Sequence, residues 1–201
     1  MDVAVFTRAG VERVQRFALE MARSRPAKHL TLVTKSNAQR HGMVLWDEVF
    51  AELAQAYPDV AADKMLVDAM TARMVRAPES LDTVVATNLH ADILSDLAAA
   101  LSGSLGLAPT GNINPERAAP SMFEPIHGSA FDIIGHGVAN PLGAVWSAKL
   151  MLDHLGEGEA AARLMAAIEA VTAEGRTLPR DLGGQASTSE VTEALCRALS
   201  G

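Results

Sequence analysis

"DTVVATNLHADILSDLAAALSG" occupies residues 82–103. A short β-branched run, a polar step and an apolar-periodic segment follow one another, which reads as strand, turn and helix. On that helix Asp92 and Asp96 stand four residues apart and share a face. Two carboxylates on one face repel unless something positive lies between them. A hard divalent cation such as Mg²⁺ or Mn²⁺, which prefers oxygen ligands, would resolve that repulsion. The plainer account is that acids near a helix N-terminus are favoured by its dipole, by about 0.3–1 kcal/mol each. Spacing alone leaves both accounts open. His90 adds little, because an oxygen-preferring cation does not need it.

Outward from this stretch, helix and strand signals alternate. "GVERVQRFALEMARSRP" places Val11, Val14, Phe17, Ala18 and Met21 at helical spacing and stops before Pro26. "HLTLVTKSN" is a strand with Lys35, Ser36 and Asn37 at its C-terminal edge. A helix through "MVLWDEVFAELAQAYP" is closed by Pro58, and "KMLVDAM" reads as a short strand ending at Asp68, before another helix. From residue 103 the texture changes to a segment rich in Gly, Pro and Asn with few periodic elements. Loops longer than about 12–15 residues are functional or disordered more often than not. Phe123, Ile126, Phe131, Ile133 and Ile134 act as apolar anchors that argue against disorder. Three helices close the chain, the last opened by Ser187 with Glu190 three residues on, a capping-box signature. The pattern is that of an α/β chain with a long loop-rich region in its middle.

Composition narrows the function classes. The 201 residues suffice for one large domain or two small ones. Lys and Arg total 17 against 24 Asp and Glu, a net charge of −7, which argues against a nucleic-acid partner or an anionic membrane surface. The single cysteine, Cys196, excludes an intrachain disulfide and suits a reducing cytoplasm. "MDVAVFTRAG" lacks the pattern of a signal peptide, and no run approaches the roughly 20 apolar residues of a membrane span. A cytoplasmic chain is therefore expected.

Single polar residues are ambiguous by themselves. Lys35 reads as a solvated charge at a strand end, or as a base if a metal site lowers its pKa. His127, between Pro125 and Gly128, is either a satisfied loop histidine or a ligand contact. "GHGVAN" at 135–140 falls one step short of the GxGxxG fingerprint and has no clear strand before it, which argues against a Rossmann site.

The combination is more specific. "TKSN" (34–37), "NLHADILSD" (88–96), "GSLGLAPTGNINPER" (103–117) and "FEPIHGSAFDIIGHGVANP" (123–141) occur in this order. Together they resemble the metal-dependent decarboxylating dehydrogenases of 2-hydroxy acids, namely the isopropylmalate, isocitrate, D-malate and tartrate dehydrogenases. "NINPER" before "FEPIHG", with "TKSN", looks most like the tartrate and D-malate branch. The resemblance covers essentially the whole chain.

It implies a set of roles. Asp92 and Asp96 match the family's metal-binding aspartates, and Asp68 matches the one that reaches across from a partner subunit. With substrate oxygens they would complete an octahedral Mg²⁺ or Mn²⁺ shell. Lys35 matches the catalytic lysine, which assists loss of the hydroxyl proton and also acts across the dimer. His127, Gly128, Ser129 and Ala130 match the loop holding the adenosine end of the nicotinamide cofactor, with Asn140 against the adenine. Asp132 matches the acid on the adenosine ribose, where a carboxylate would favour NAD over NADP. Because Lys35 and Asp68 serve the neighbouring site, a homodimer is implied and a monomer would be inert.

The departures also carry expectations. Family members are considerably longer, and this chain begins where their second half does. The arginines that clamp the substrate carboxylates belong to the part not present. Phe6 falls where isopropylmalate dehydrogenases use a proton-donating tyrosine. His90 and Ala91 stand where "FG" is usual, Phe131 where Pro is usual and His136 where Lys is common. The expected fold is α/β, an isopropylmalate-dehydrogenase-like two-domain fold that is N-terminally truncated. Residues 1–102 would be part of the dimerising, metal-bearing domain, and residues 103–201 part of the cofactor domain. The latter would lack sheet neighbours and expose apolar surface. Two functions are carried forward. One is an NAD-dependent oxidation with decarboxylation of D-malate or tartrate, with isopropylmalate as the runner-up substrate and a missing N-terminal half as a possible partner. The other is an inactive remnant or a subunit that binds a partner chain.

Overall fold

The computed structural model describes residues 1–200. They divide into two compact units, Met1–Ala98 and the remainder from Ala99.

The first unit is built on a three-stranded parallel sheet in the order β2-β1-β3, with β1 (His29–Thr34) between β2 (Ala61–Leu66) and β3 (Thr83–Val85). Leu30 through Thr34 are all buried, as expected for a central strand covered on both faces. Alternate side chains serve two cores. Leu30 and Leu32 join Leu19, Trp46, Val49 and Phe50 beneath α1 (Arg8–Ser24) and α2 (Met43–Ala54). Val33 joins Met70, Met74 and Leu94 from α3 (Val67–Arg76) and α4 (Asn88–Leu101). Each fully buried Leu or Val contributes about 1.5–3 kcal/mol.

Several expectations are corrected here. Helix α1 forms, capped by Thr7, whose hydroxyl accepts from the Gly10 N–H at 3.2 Å. Its inner stripe is Val11, Gln15, Ala18, Leu19 and Ala22, whereas Val14 and Met21 lie exposed. Gln15 is fully buried because its Nε2 donates to the Trp46 carbonyl at 2.9 Å. Strand β2 ends at Leu66, which puts Asp68 in the first turn of α3 and not at a strand end. Phe6 packs edge-to-face on Trp46, with ring centroids 6.0 Å apart.

The second unit contains a hairpin that the composition of its segment conceals. Strand β4 (Pro109–Asn112) pairs antiparallel with β5 (Met122–Pro125), with Gly111 opposite Phe123. A Cβ on Gly111 would meet the Phe123 ring at 2.9 Å, so the close pairing needs glycine. Helices α5 (Leu142–Leu155), α6 (Gly158–Glu174) and α7 (Thr188–Ser200) bury Leu142, Ile168, Val171, Val191 and Leu195 against one another. Ser187 caps α7 as the capping box predicts, with its backbone N–H and hydroxyl both donating to Glu190 at 2.8 Å. Phe131 and Ile134 do not anchor the loop, since they are 84% and 60% exposed.

Candidate functional site

In the first unit the polar residues gather where β1 ends. The chain turns immediately after Thr34, and the Lys35 carbonyl accepts from the N–H groups of Ala38 and Gln39 at 2.9 and 2.8 Å. Ser36 donates from its hydroxyl to Asp47 at 2.7 Å, and Lys64 donates to the same carboxylate oxygen at 2.8 Å. Burial raises the Asp47 carboxyl, but hydrogen bonds from Lys64, Thr34 and Ser36 outweigh it and hold its pKa below the ordinary carboxylate value. This turn presents Lys35 to Asp68, and the two form an ion pair. The Lys35 ammonium, helped by a backbone N–H, keeps the Asp68 carboxyl ionised to lower pH than usual. Parallel pairing of β1 with β2 is what brings them together, because Thr34 lies opposite Leu66 and Asp68 follows two residues later.

Asp92 and Asp96 both lie on the exposed side of α4, whose inner side carries His90 and Leu94. Leu89 and Ile93 share that outer surface at 65% and 53% exposure. His90 is 8% exposed, and its Nδ1 lacks a hydrogen-bond partner. Burial first, and the nearby Lys35 charge second, lower its pKa. The donor set of Asp68, Asp92 and Asp96 is all oxygen, which suits a hard divalent ion. Among the described residues, no three His, Cys, Asp or Glu side chains of a single chain come together closely enough to hold a metal.

In the second unit the 127–140 segment encloses a cleft of about 730 Å³, a size suited to a small ligand or part of a cofactor. His127, Gly128, Ser129, Ala130 and Asn140 line it, so five of the six residues expected to hold a nucleotide are brought together. Asp132 is exposed on the same loop and is not among the lining residues. Gly128 and Ala130 both adopt left-handed backbone, at φ 67° and 42°, which folds the loop tightly. For Ala130 that conformation costs on the order of 1 kcal/mol. Gly135 and Gly137 are likewise left-handed, at φ 80° and 65°, so "GHGVAN" serves as a glycine-turned wall with no strand leading into it. The lining pairs small and apolar residues such as Gly137, Ala139, Ile133 and Val138 with the polar Asn140 and Arg180, a mixture that would suit the flat face and polar edge of a base.

The cleft also recruits residues that sequence reading misses. Gly106, Arg180, Asp181 and Thr188 line it. The Ser187 capping box signals a helix start near Thr188, but no local pattern brings Asp181 to Asn140 across 41 positions.

The sequence matches the family model described as isocitrate/isopropylmalate dehydrogenase over residues 1–195. It is 66% identical over 200 residues to a probable tartrate dehydrogenase/decarboxylase of Agrobacterium vitis, a match covering 100% of this chain and 56% of the relative. It is 48% identical to the decarboxylating D-malate dehydrogenase of Escherichia coli (strain K12), covering 98% and 55%. Among solved structures, isocitrate dehydrogenase from Methylococcus capsulatus superposes with a TM-score of 0.95 at 39% identity, over 100% of this chain and 59% of that one. The chain thus spans about half the length of the curated relatives it matches. The segments 34–37, 88–96, 103–117 and 123–141 therefore lie within one continuous match, and the chain belongs to the isocitrate/isopropylmalate dehydrogenase family.

Proposed function

We propose that this chain is, or is part of, a cytoplasmic NAD-dependent and divalent-metal-dependent oxidoreductase. Its substrate would be a 2-hydroxy dicarboxylic acid such as D-malate or tartrate, which it oxidises and decarboxylates. The observation that carries the reading is the identity of 66% and 48% to relatives named as tartrate and D-malate dehydrogenases. A bound Mg²⁺ or Mn²⁺ supplies a Lewis acid, and bound NAD supplies a hydride acceptor. Asp92 and Asp96 hold the ion together with Asp68 of a second copy. Lys35, oriented by its ion pair with Asp68, manages the proton of the substrate hydroxyl. The 127–130 loop and Asn140 hold the adenosine end. Asp132 stands by the ribose, where its charge opposes a 2′-phosphate. Residues 1–102 form part of the metal-bearing, dimerising domain and residues 103–201 part of the cofactor domain. The exposed Leu89 and Ile93 beside the two aspartates suit a face covered by a second copy.

A second reading is a subunit that binds a partner chain rather than turning over substrate, which the exposed Leu89 and Ile93 of α4 would equally suit. NADH formation with NAD and Mn²⁺, offered D-malate, tartrate and isopropylmalate in turn, separates the two. Turnover abolished by EDTA and by Asp92→Asn supports the enzyme, and the preferred acid names the substrate. No turnover with any of the three acids contradicts it for this chain alone and favours the second reading.

A further inference from the structure

Asp181 stands 41 residues from Asn140 in sequence, yet one of its carboxylate oxygens joins two other parts of the cleft wall, Asn140 directly and Gly106 through Ser104. Its Oδ2 accepts from Asn140 Nδ2 at 2.8 Å and from the hydroxyl of Ser104, which is itself buried. Ser104 Oγ in turn accepts from the Gly106 N–H at 2.9 Å. Packing at this junction is close. A Cβ on Gly106 would meet Asp181 Oδ2 at 2.6 Å and Asn140 Cβ at 3.0 Å. The other end of the Asn140 amide is also committed, since its Oδ1 accepts from the Leu142 N–H at 2.9 Å.

We propose that Asp181 is a positioning residue for nucleotide binding, fixing the Asn140 amide in one orientation so that its remaining N–H meets N1 of adenine, the acceptor that hypoxanthine replaces with an N–H. This rests on the reading of the cleft as the adenosine site. The argument is one of valence. An Asn amide has two N–H donors and one carbonyl oxygen. With the oxygen taken by Leu142 N–H and one hydrogen by Asp181, a single N–H is left, and the amide cannot flip without losing both bonds. A carboxylate accepts only, so it selects the nitrogen end of the amide. Without Asp181 the Asn140 side chain is held at one end, and its donor is no longer aimed.

The test is fluorescence titration of NADH into the full chain, with reduced nicotinamide hypoxanthine dinucleotide as the base-altered comparison. Asp181→Ala weakens NADH by about tenfold, the size of one lost charge-assisted hydrogen bond. It also lowers the preference for the adenine over the hypoxanthine form. Asp181→Asn, whose carbonyl can still accept from Ser104 and Asn140, restores both within about threefold. A purely structural role for Asp181 would weaken the two dinucleotides equally, and that result overturns the inference, as does unchanged binding by Asp181→Ala. If the unsubstituted chain binds neither dinucleotide, the adenosine-site reading and this inference fall together. Should Asp181→Ala not fold, the unsubstituted chain still decides. The Asn140 side-chain amide protons then exchange with solvent at least about tenfold more slowly than those of the exposed Asn37. Asn140 protons that exchange as fast as those of Asn37 overturn the inference.

Discussion

Asp47 shows how much one side chain organises on the Lys35 side. It takes hydrogen bonds from Ser36 and Lys64 and thereby ties the turn carrying Lys35 to α2 and β2. Its carboxyl titrates below the ordinary value of 3.8 in the folded chain. A depressed folded pKa stabilises the fold above the unfolded value, and that contribution is lost as pH falls through the lowered one. Melting temperature followed from neutral pH downward therefore drops more steeply below pH 3.8 for the parent than for Asp47→Asn, which starts lower and flattens that limb. Equal slopes would show that the Asp47 bonds do not discriminate between its charge states. At this scale the sequence is informative about residue types and weak about partners. Lys35 and Asp68 are both visible as candidates, but only the β1–β2 register pairs them. Phe131 and Ile134 look like anchors from their apolarity, and the loop geometry nevertheless turns them outward.

Elements were more legible than their faces. The helical period of residues 10–26 correctly predicts α1, yet the buried stripe includes Gln15 and leaves out Val14 and Met21. Periodicity registers apolar side chains, whereas a buried amide needs an acceptor, here the Trp46 carbonyl, that only tertiary structure supplies. The β4–β5 hairpin escapes notice for a related reason. Its strands are four residues each and start or end in Pro, β4 carries Gly and Asn, and β5 has no β-branched residue to announce a strand. Helix α7, by contrast, declares its start through Ser187 and Glu190, and the bonds are as expected. Ser187→Ala removes the cap and costs about 0.5–2 kcal/mol. Because Thr188 and Ser189 at that helix start line the cleft, the same substitution also weakens NADH binding. Chemical denaturation and NADH titration of the one variant check both effects. Loss of stability with untouched binding would show that the start of α7 is not part of the nucleotide site.

For the molecule as a whole, the proposed function requires a reaction site completed by a second copy. Within one chain, Lys35 and Asp68 form their own pair, while Asp92 and Asp96 lie on the outer surface of α4 beside the exposed Leu89 and Ile93. The family's whole-chain likeness is readable from four short motifs, because each is specific in residue type and they occur in a fixed order along the chain. The measurement that tests this requirement most directly is subunit complementation. Lys35→Met and Asp92→Asn chains are purified separately, mixed, dissociated and reassembled, and assayed for Mn²⁺-dependent NADH formation. Each variant alone is inert, and the mixture recovers about a quarter of the parent rate, since half the dimers are mixed and each has one intact site of two. Failure of the mixture to recover any rate, with the parent active and the mixed dimers verified, would contradict the account and place Lys35 and Asp92 in the same chain's site.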